Sequence, residues 1–222
     1  MLNKSQEKLI KSLRTKKARQ KHGLCLVEGR KVIALARDFI TYSFGPEDSP
    51  QFKKLITTET PQASAAVARI PEWGRRDIAS RDIVILLDGV QDPGNAGAIL
   101  RLCLGFKASL ILVESADATS PKVIRSSVGA MFQAPWKQVL RKDVNDFIKE
   151  LNYPVYRLEK NNKAIKFTKA GIKPPALLIA GSEGRGIREN LKGKSVYIDH
   201  HRSLESLNVG HALAIALHFL RF

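Results

Sequence analysis

Only two cysteines, Cys25 and Cys103, occur in the 222 residues. They are too few and too far apart to form a disulfide framework or a zinc site. Apolar runs are short as well. The longest, ALAIAL at 212–217, falls far below the roughly 18 residues of a membrane span and lies in a segment carrying His211, His218 and Arg221. The amino-terminal stretch is basic and lacks the apolar core of a signal peptide. These gaps argue against a secreted, disulfide-stapled module and against a membrane partner, and they predict a reducing, cytoplasmic compartment. Acidic residues are scarce too: 21 Asp and Glu face 37 Lys and Arg, for a net charge of +16. A surplus this large favours a polyanionic partner, nucleic acid before a membrane surface, because clustered cations displace counterions from phosphates.

The remaining composition, 44% hydrophobic and 26% charged, is that of an ordinary globular protein with chain enough for one large or two modest domains. The charge is uneven. Residues 1–31 hold ten Lys and Arg against two acids, half of the whole surplus. Leu2, Leu9, Ile10 and Leu13 recur at helical spacing, which predicts an amphipathic helix with a basic face, ended by Gly23. A strand at 24–27, a helix at 29–39 and a strand at 63–70 then make a small module. The polar stretch 73–82 reads as a linker.

From Ile83 the texture changes. Runs at 83–88, 109–114, 154–159, 176–181 and 195–198 are apolar without alternation, as in strands buried on both faces. Helical stretches at 94–106, 121–131 and 143–151 fall between them, so the pattern predicts a parallel sheet covered on both sides. The chain ends in an apolar helix, 206–222, with Ser206 placed to cap it. Two domains are expected, 1–80 and 81–222.

In an open parallel sheet, ligands bind beyond the carboxyl ends of the strands. Three segments leave strands through polar or glycine-rich turns. In LLDGVQDPGNAGAILR (86–101), Asn95 and Arg101 lie on one helix, close to one face about two turns apart, and an Arg in so apolar a helix calls for a partner or a phosphate. A capped helix with one satisfied Arg is the plain alternative. In LLIAGSEGRGIREN (177–190), three glycines allow close backbone approach and Glu183 supplies a carboxylate. The spacing is not the dinucleotide fingerprint and the Lys of a phosphate-binding loop is missing. In YIDHHRSLESLNVGHALA (197–214), Ser206 and Asn208 can face a crevice. Adjacent His200 and His201 point to opposite sides of a strand and make a poor chelate, so no metal is expected.

The order DGVQDPGNAGAILR, IAGSEGRG and SLNVGHALA, the first followed by the strand SLILVE, resembles the three motifs of the SpoU family of RNA ribose methyltransferases, over about 130 residues. SLRTKKARQKHGLCLVEGRKVIALA (12–36) and TETPQASAAVAR (58–69) resemble the opening and closing parts of the small RNA-binding domain that precedes many of these catalytic domains, with a shortened segment between. The resemblance implies an α/β fold: a carboxy-terminal parallel-sheet methyltransferase domain with a trefoil knot, preceded by a small α/β RNA-binding domain. It implies transfer of a methyl group from S-adenosylmethionine to a ribose 2′-hydroxyl of structured RNA, ribosomal ahead of transfer RNA, by a homodimer. By motif, Asn95, Arg101, Glu183, Ser206 and Asn208 would be catalytic or substrate-binding, and Gly181, Gly184, Ile198 and Leu207 would meet the cofactor. The family's usual Pro, apolar residue and Gly before the last motif are replaced here by Asp199, His200 and Arg202, and Gly210 and His211 follow it, so the cofactor pocket should be more polar than usual. A noncatalytic RNA-binding or ribosome-assembly protein that keeps the fold is the competing expectation.

Overall fold

The computed structural model describes residues 1–58, 63–188 and 190–222. The family likeness over 58–69 therefore falls partly outside the described residues, at 59–62, and position 189 of the second motif segment lies outside them too. The first part of the chain runs α1 (Lys4–Ser12), α2 (Lys16–His22), β1 (Leu24–Glu28), α3 (Arg30–Leu35), β2 (Ile40–Phe44), α4 (Phe52–Leu55) and β3 (Ala65–Arg69). The three strands form an antiparallel sheet in the order β1-β3-β2.

The single amino-terminal helix expected from the spacing is broken in two. Thr15 is extended, and its hydroxyl accepts from the Ala18 N–H, so it starts a new helix instead of continuing the old one. Gly23, left-handed at φ 63°, ends α2 as expected. Ile10 and Leu13 pack with Leu26, Val67, Phe44 and Phe52 on one face of this small sheet. Its other face, carrying Cys25, Val27, Ala66 and Ala68, joins the core of the larger sheet.

The stretch expected to be a linker contains α5 (Arg75–Ala79), whose Ile78 is fully buried. Ser109 donates to the Ile78 carbonyl at 2.9 Å, which fastens this helix to the next sheet. The larger unit then runs β4 (Ile83–Asp88), α6 (Pro93–Gly105), β5 (Ser109–Val113), α7 (Pro121–Ser126), β6 (Trp136–Gln138), α8 (Val144–Lys149), β7 (Val155–Leu158), β8 (Ile165–Lys166), β9 (Ala176–Gly181), β10 (Lys194–Tyr197) and α9 (Val209–Arg221). Its seven strands are ordered β6-β5-β4-β9-β7-β10-β8, and every pairing is parallel. The five apolar runs are strands, as expected. The two short edge strands, β6 and β8, carry no such signal.

Strand β4 shows why alternation is missing: Ile83, Ile85 and Leu87 pack into one core and Val84 and Leu86 into another. The expected helix at 121–131 stops at Ser126 and resumes as a short 3-10 turn at Ala130–Phe132, because Val128 and Gly129 both take positive φ. The last helix begins at Val209 and is capped by Asn208, not by Ser206. Arg221 closes it with two hydrogen bonds to Asp82, at 2.7 and 3.0 Å.

The first module is docked onto the second by buried charge. Arg19, 3% exposed, bonds Asp117 at 2.5 Å and Thr119 at 3.0 Å. Glu28, 5% exposed, receives Arg125 at 2.6 Å and both the N–H and hydroxyl of Thr57.

Candidate active site

Two strands meet at the point where the sheet reverses its order of growth. From β4 the chain proceeds outward to β5 and β6, and the later strands fill the other side, so β4 and β9 are neighbours whose connections leave in different directions. A crevice opens beyond the carboxyl ends of such a pair. Asp88, the last residue of β4, lies beside Gly181, the last of β9. The segments that follow carry Asn95, at the start of the next helix, and Glu183, in the loop after β9.

Asn95 occupies the first turn of α6. The Asp92 carboxylate caps that helix by accepting the Asn95 N–H at 2.7 Å, with Pro93 at the start. Asn208 caps α9: its Oδ1 accepts the N–H groups of Gly210 at 2.9 Å and His211 at 3.4 Å. The cap fixes which end of the amide faces out. Its Nδ2 donates to Asn95 Oδ1 at 2.9 Å and to Glu183 Oε1 at 3.0 Å. Asn95 Nδ2 reaches the same carboxylate oxygen at 3.4 Å. Three side chains from three separate segments thus close a triangle.

The glycine-rich loop is held by groups that the sequence did not single out. Buried Asp88 accepts the Arg188 N–H at 2.5 Å on one carboxylate oxygen and Arg141 at 2.6 Å on the other. Arg141 also bonds Glu114 at 2.8 Å, and Arg188 reaches it at 3.3 Å. These hydrogen bonds from Arg141 hold the Glu114 carboxyl below its ordinary range and raise the guanidinium of Arg141 above its own. Gly181 is required by space: a Cβ there would meet the backbone carbonyl carbon of Gly186 at 2.1 Å. An acid at the end of a buried strand was the one available signal for Asp88.

Two cavities flank the triangle. A polar cleft is lined by Gln91, Asn95, Glu183, Gly184, Arg185 and Arg188. A narrower slot beyond β7 and β10 is lined by Leu158, Ile198, His200, Ser206, Leu207 and Ala212 among others. Leu207 faces the slot and Val209 the cleft, so Asn208 stands between them.

Asn95, Glu183 and Asn208 are therefore brought together. Ile198, Ser206 and Leu207 share the slot, while Gly184 lies in the cleft and Gly181 at the neck of the loop. Arg101 is apart from all of them: six residues make about 1.7 turns, which turns its side chain roughly a third of the way around the helix from Asn95. It is exposed, with no hydrogen bond or ion pair among the described residues. The expectation that Asn95 and Arg101 share a face is corrected accordingly. The unusual residues before the last motif have local roles. Asp199 pairs with Lys166 of β8, and His200 bonds the Ile198 carbonyl. Among the described residues no group of three His, Cys, Asp or Glu side chains could hold a metal ion, and no helix is long and apolar enough to cross a membrane.

The model of the SpoU rRNA Methylase family matches residues 82–218. The chain is 31% identical to the 23S rRNA (guanosine(2553)-2′-O)-methyltransferase RlmP of Bacillus subtilis, covering 95% of this chain and 94% of that protein. It is 35% identical to the 23S rRNA (adenosine(1067)-2′-O)-methyltransferase of Streptomyces azureus, over 77% of this chain and 66% of that one. Among solved structures, a TrmH-family protein from Porphyromonas gingivalis superposes with a TM-score of 0.84 at 30% identity, covering 100% of this chain and 98% of that chain.

Proposed function

The chain belongs to the SpoU rRNA methylase family, and from that premise we propose that it transfers a methyl group from S-adenosylmethionine to a ribose 2′-hydroxyl of ribosomal RNA. The observation that carries this reading is the junction of Asn95, Glu183 and Asn208, which joins the three motif segments at the sheet's switch point between a polar cleft and an apolar slot.

The slot suits the cofactor by its own chemistry. Its walls at Leu158, Ile198, Leu207 and Ala212 are apolar, as a flat heterocycle requires, and Glu159, Lys160 and Glu205 line it beside them, as the charged methionine end of the group requires. Ile198 and Leu207 would hold the group there, and Gly181 would keep the neighbouring loop close. When bound, the cofactor supplies an electrophilic methyl on a sulfonium.

This chain's residues do the rest. In-line displacement makes alignment a large share of the rate, and Asn208, fixed by its cap, Asn95 and Glu183, would orient the ribose at the wall between the cavities. Ser206, exposed at the rim of the slot, would contact the same nucleotide. The guanidinium of Arg101 is a hydrogen-bond donor and not an acceptor, which rules it out as the base. Because Arg101 projects away from the triangle, it would clamp a flanking phosphate, not remove a proton. The 2′-hydroxyl restricts the substrate to RNA.

The same reading assigns residues 1–80 to RNA binding and 81–222 to catalysis, with the trefoil knot around the loops after β9 and before α9, in the cytoplasm. It also assigns a homodimer, supported by the apolar residues that α9 and its C-cap leave exposed: Ile215 at 36%, Phe219 at 53% and Phe222 at 92%. The test is transfer of tritium from labelled S-adenosylmethionine to ribosomal RNA from cells lacking the gene, followed by mapping of the methylated ribose. No incorporation into any RNA, with the protein folded, would leave the noncatalytic binder in its place.

A further inference from the structure

A further cavity, of about 550 Å³, lies in the seam between the two modules. Arg14 and Ile56 line it from the first module, and Pro93, Pro121, Lys122 and Arg125 from the second. Among the described residues every charged side chain in its lining is a cation. Another cavity on the same seam is mixed, with Glu72 and Asp117 beside Arg19 and Lys137. Uniform positive charge suits an anion, and the first pocket alone offers it.

The three cations are not equivalent. Arg125 is answered by buried Glu28 at 2.6 Å and also donates to the Thr57 hydroxyl at 2.6 Å, so it fastens the wall. Arg14 donates through Nη2 to two backbone carbonyls, those of Lys54 at 2.5 Å and Ile56 at 2.8 Å. That tether fixes the side chain and leaves its charge uncompensated. Its Nε and Nη1 have no partner among the described residues. Lys122 is exposed and has neither hydrogen bond nor ion pair among the described residues. Two unanswered charges thus stand on opposite sides of the seam, one of them already oriented. Orientation before binding lowers the cost of taking a ligand.

The pocket adjoins the triangle through the first turn of α6. Asp92 and Asn95 line the polar cleft, and Pro93 between them lines the pocket. Ser126 holds that turn by donating to the Pro93 carbonyl at 2.8 Å. A strand whose target ribose meets Asn95 therefore has a neighbouring phosphate within reach of the pocket, around the same turn.

We propose that this pocket takes a backbone phosphate of the substrate RNA beside the methylated nucleotide, gripped by Arg14 from one module and Lys122 from the other. The proposal rests on the RNA methyltransferase reading above. It makes the seam part of the substrate site, because neither module holds both cations. It also gives the buried Arg125–Glu28 pair a second use, since that pair sets the wall against which the phosphate sits.

The test is equilibrium binding of ribosomal RNA from cells lacking the gene, measured against salt for the wild type, Arg14→Gln, Lys122→Gln and Lys149→Gln. Lys149→Gln is the control: it removes the same charge from α8, which covers the opposite face of the sheet from α6 and α7. Each pocket variant should bind about fivefold or more weakly and lower the salt slope by about one unit, while the control shifts neither. Position is read separately. Cys25 and Cys103 are buried, so an iron chelate can be attached selectively to Lys122→Cys. Its radical cuts should fall beside the methylated ribose. Pocket variants that match the control, or cuts only at distant parts of the RNA, overturn the site and leave the RNA reading intact. Failure of the wild type to bind ribosomal RNA overturns that reading, and this proposal with it. Should Arg14→Gln not fold, Lys122→Gln decides, because no contact among the described residues depends on Lys122.

Discussion

Asn208 Nδ2 donates to Asn95 Oδ1 at 2.9 Å across 113 residues of chain. The two amides belong to the cap of α9 and the first turn of α6, so a single contact sets the spacing of two helix starts around the cleft. Asn208 has two duties, capping with its oxygen and bridging with its nitrogen, and they can be separated. Asn208→Asp keeps the capping oxygen, removes the donor and places a second carboxylate beside Glu183. Its melting temperature should stay near that of the wild type while methyl transfer falls by about 100-fold, the scale of a small misplacement at a reacting centre. Asn208→Ala should lose the same activity and about 1 kcal/mol of stability as well. Full activity of Asn208→Asp in a tritium-transfer assay would remove the bridge from the mechanism.

Arg101 is predicted to behave in the opposite way, because it is exposed and holds no contact among the described residues. Arg101→Ala should leave stability within about 0.5 kcal/mol. If the guanidinium clamps a phosphate, KM for RNA should rise and the salt dependence of RNA binding should flatten. Arg101→Lys should recover part of the loss, since it keeps the charge and loses the fork. Binding and turnover measured against salt separate this from a role on the 2′-oxygen, which would lower kcat at saturating RNA.

The arrangement of the site was legible in the sequence only in pieces. Asn95, Glu183 and Asn208 each sit in or just after a turn that polar and glycine residues mark, and the parallel-sheet pattern says that such turns gather at one edge. What the pattern cannot supply is strand order. Their contact depends on β4 lying beside β9, and that pairing joins segments about ninety residues apart. The Asp88–Arg141 bond was hidden for a related reason. Arg141 follows β6, a three-residue strand reading Trp-Lys-Gln whose apolar content is too small to register. Local chemistry also overrode periodicity once, at Thr15. A hydroxyl able to cap there competes with the continuous helix that Leu2, Leu9, Ile10 and Leu13 suggest.

Gly97 is predicted to be intolerant of the smallest enlargement. It lies on the buried side of α6, and a Cβ there would stand 2.0 Å from Ser126 Oγ and 2.7 Å from the Ser127 backbone nitrogen. Ser126 cannot swing away freely, since its hydroxyl bonds the Pro93 carbonyl at 2.8 Å. Gly97→Ala should force α6 and α7 apart at a cost of about 1–3 kcal/mol, lowering the melting temperature by roughly 5 °C. Because α6 carries both Asn95 and Arg101, activity should fall with it. An unchanged melting temperature would mean that the two helices are packed less tightly than these distances require.

The docking of the first module gives an acid-dependence with a definite sign. Burial pushes the Asp117 carboxyl up, but hydrogen bonds from Arg19 and Thr119 outweigh it, and the group titrates below its ordinary range. A carboxyl depressed in the folded state adds stability above its unfolded pKa of about 3.9, and that contribution is lost as pH falls through the folded value. Asp117→Asn should therefore be less stable than the wild type at neutral pH, by about 3 kcal/mol, because Arg19 is left buried without its counter-charge. The gap should narrow below about pH 4, where the wild-type carboxylate also begins to protonate. Melting curves of both proteins from pH 7 to pH 3 decide it. A gap that stays constant with pH would show that the loss comes from the changed hydrogen bonding at Thr119 and not from the charge. The same curves, read with a probe near the amino terminus, should show the first module loosening before the parallel sheet, since the Arg19–Asp117 pair joins the two while the two faces of the sheet are packed mainly by apolar side chains.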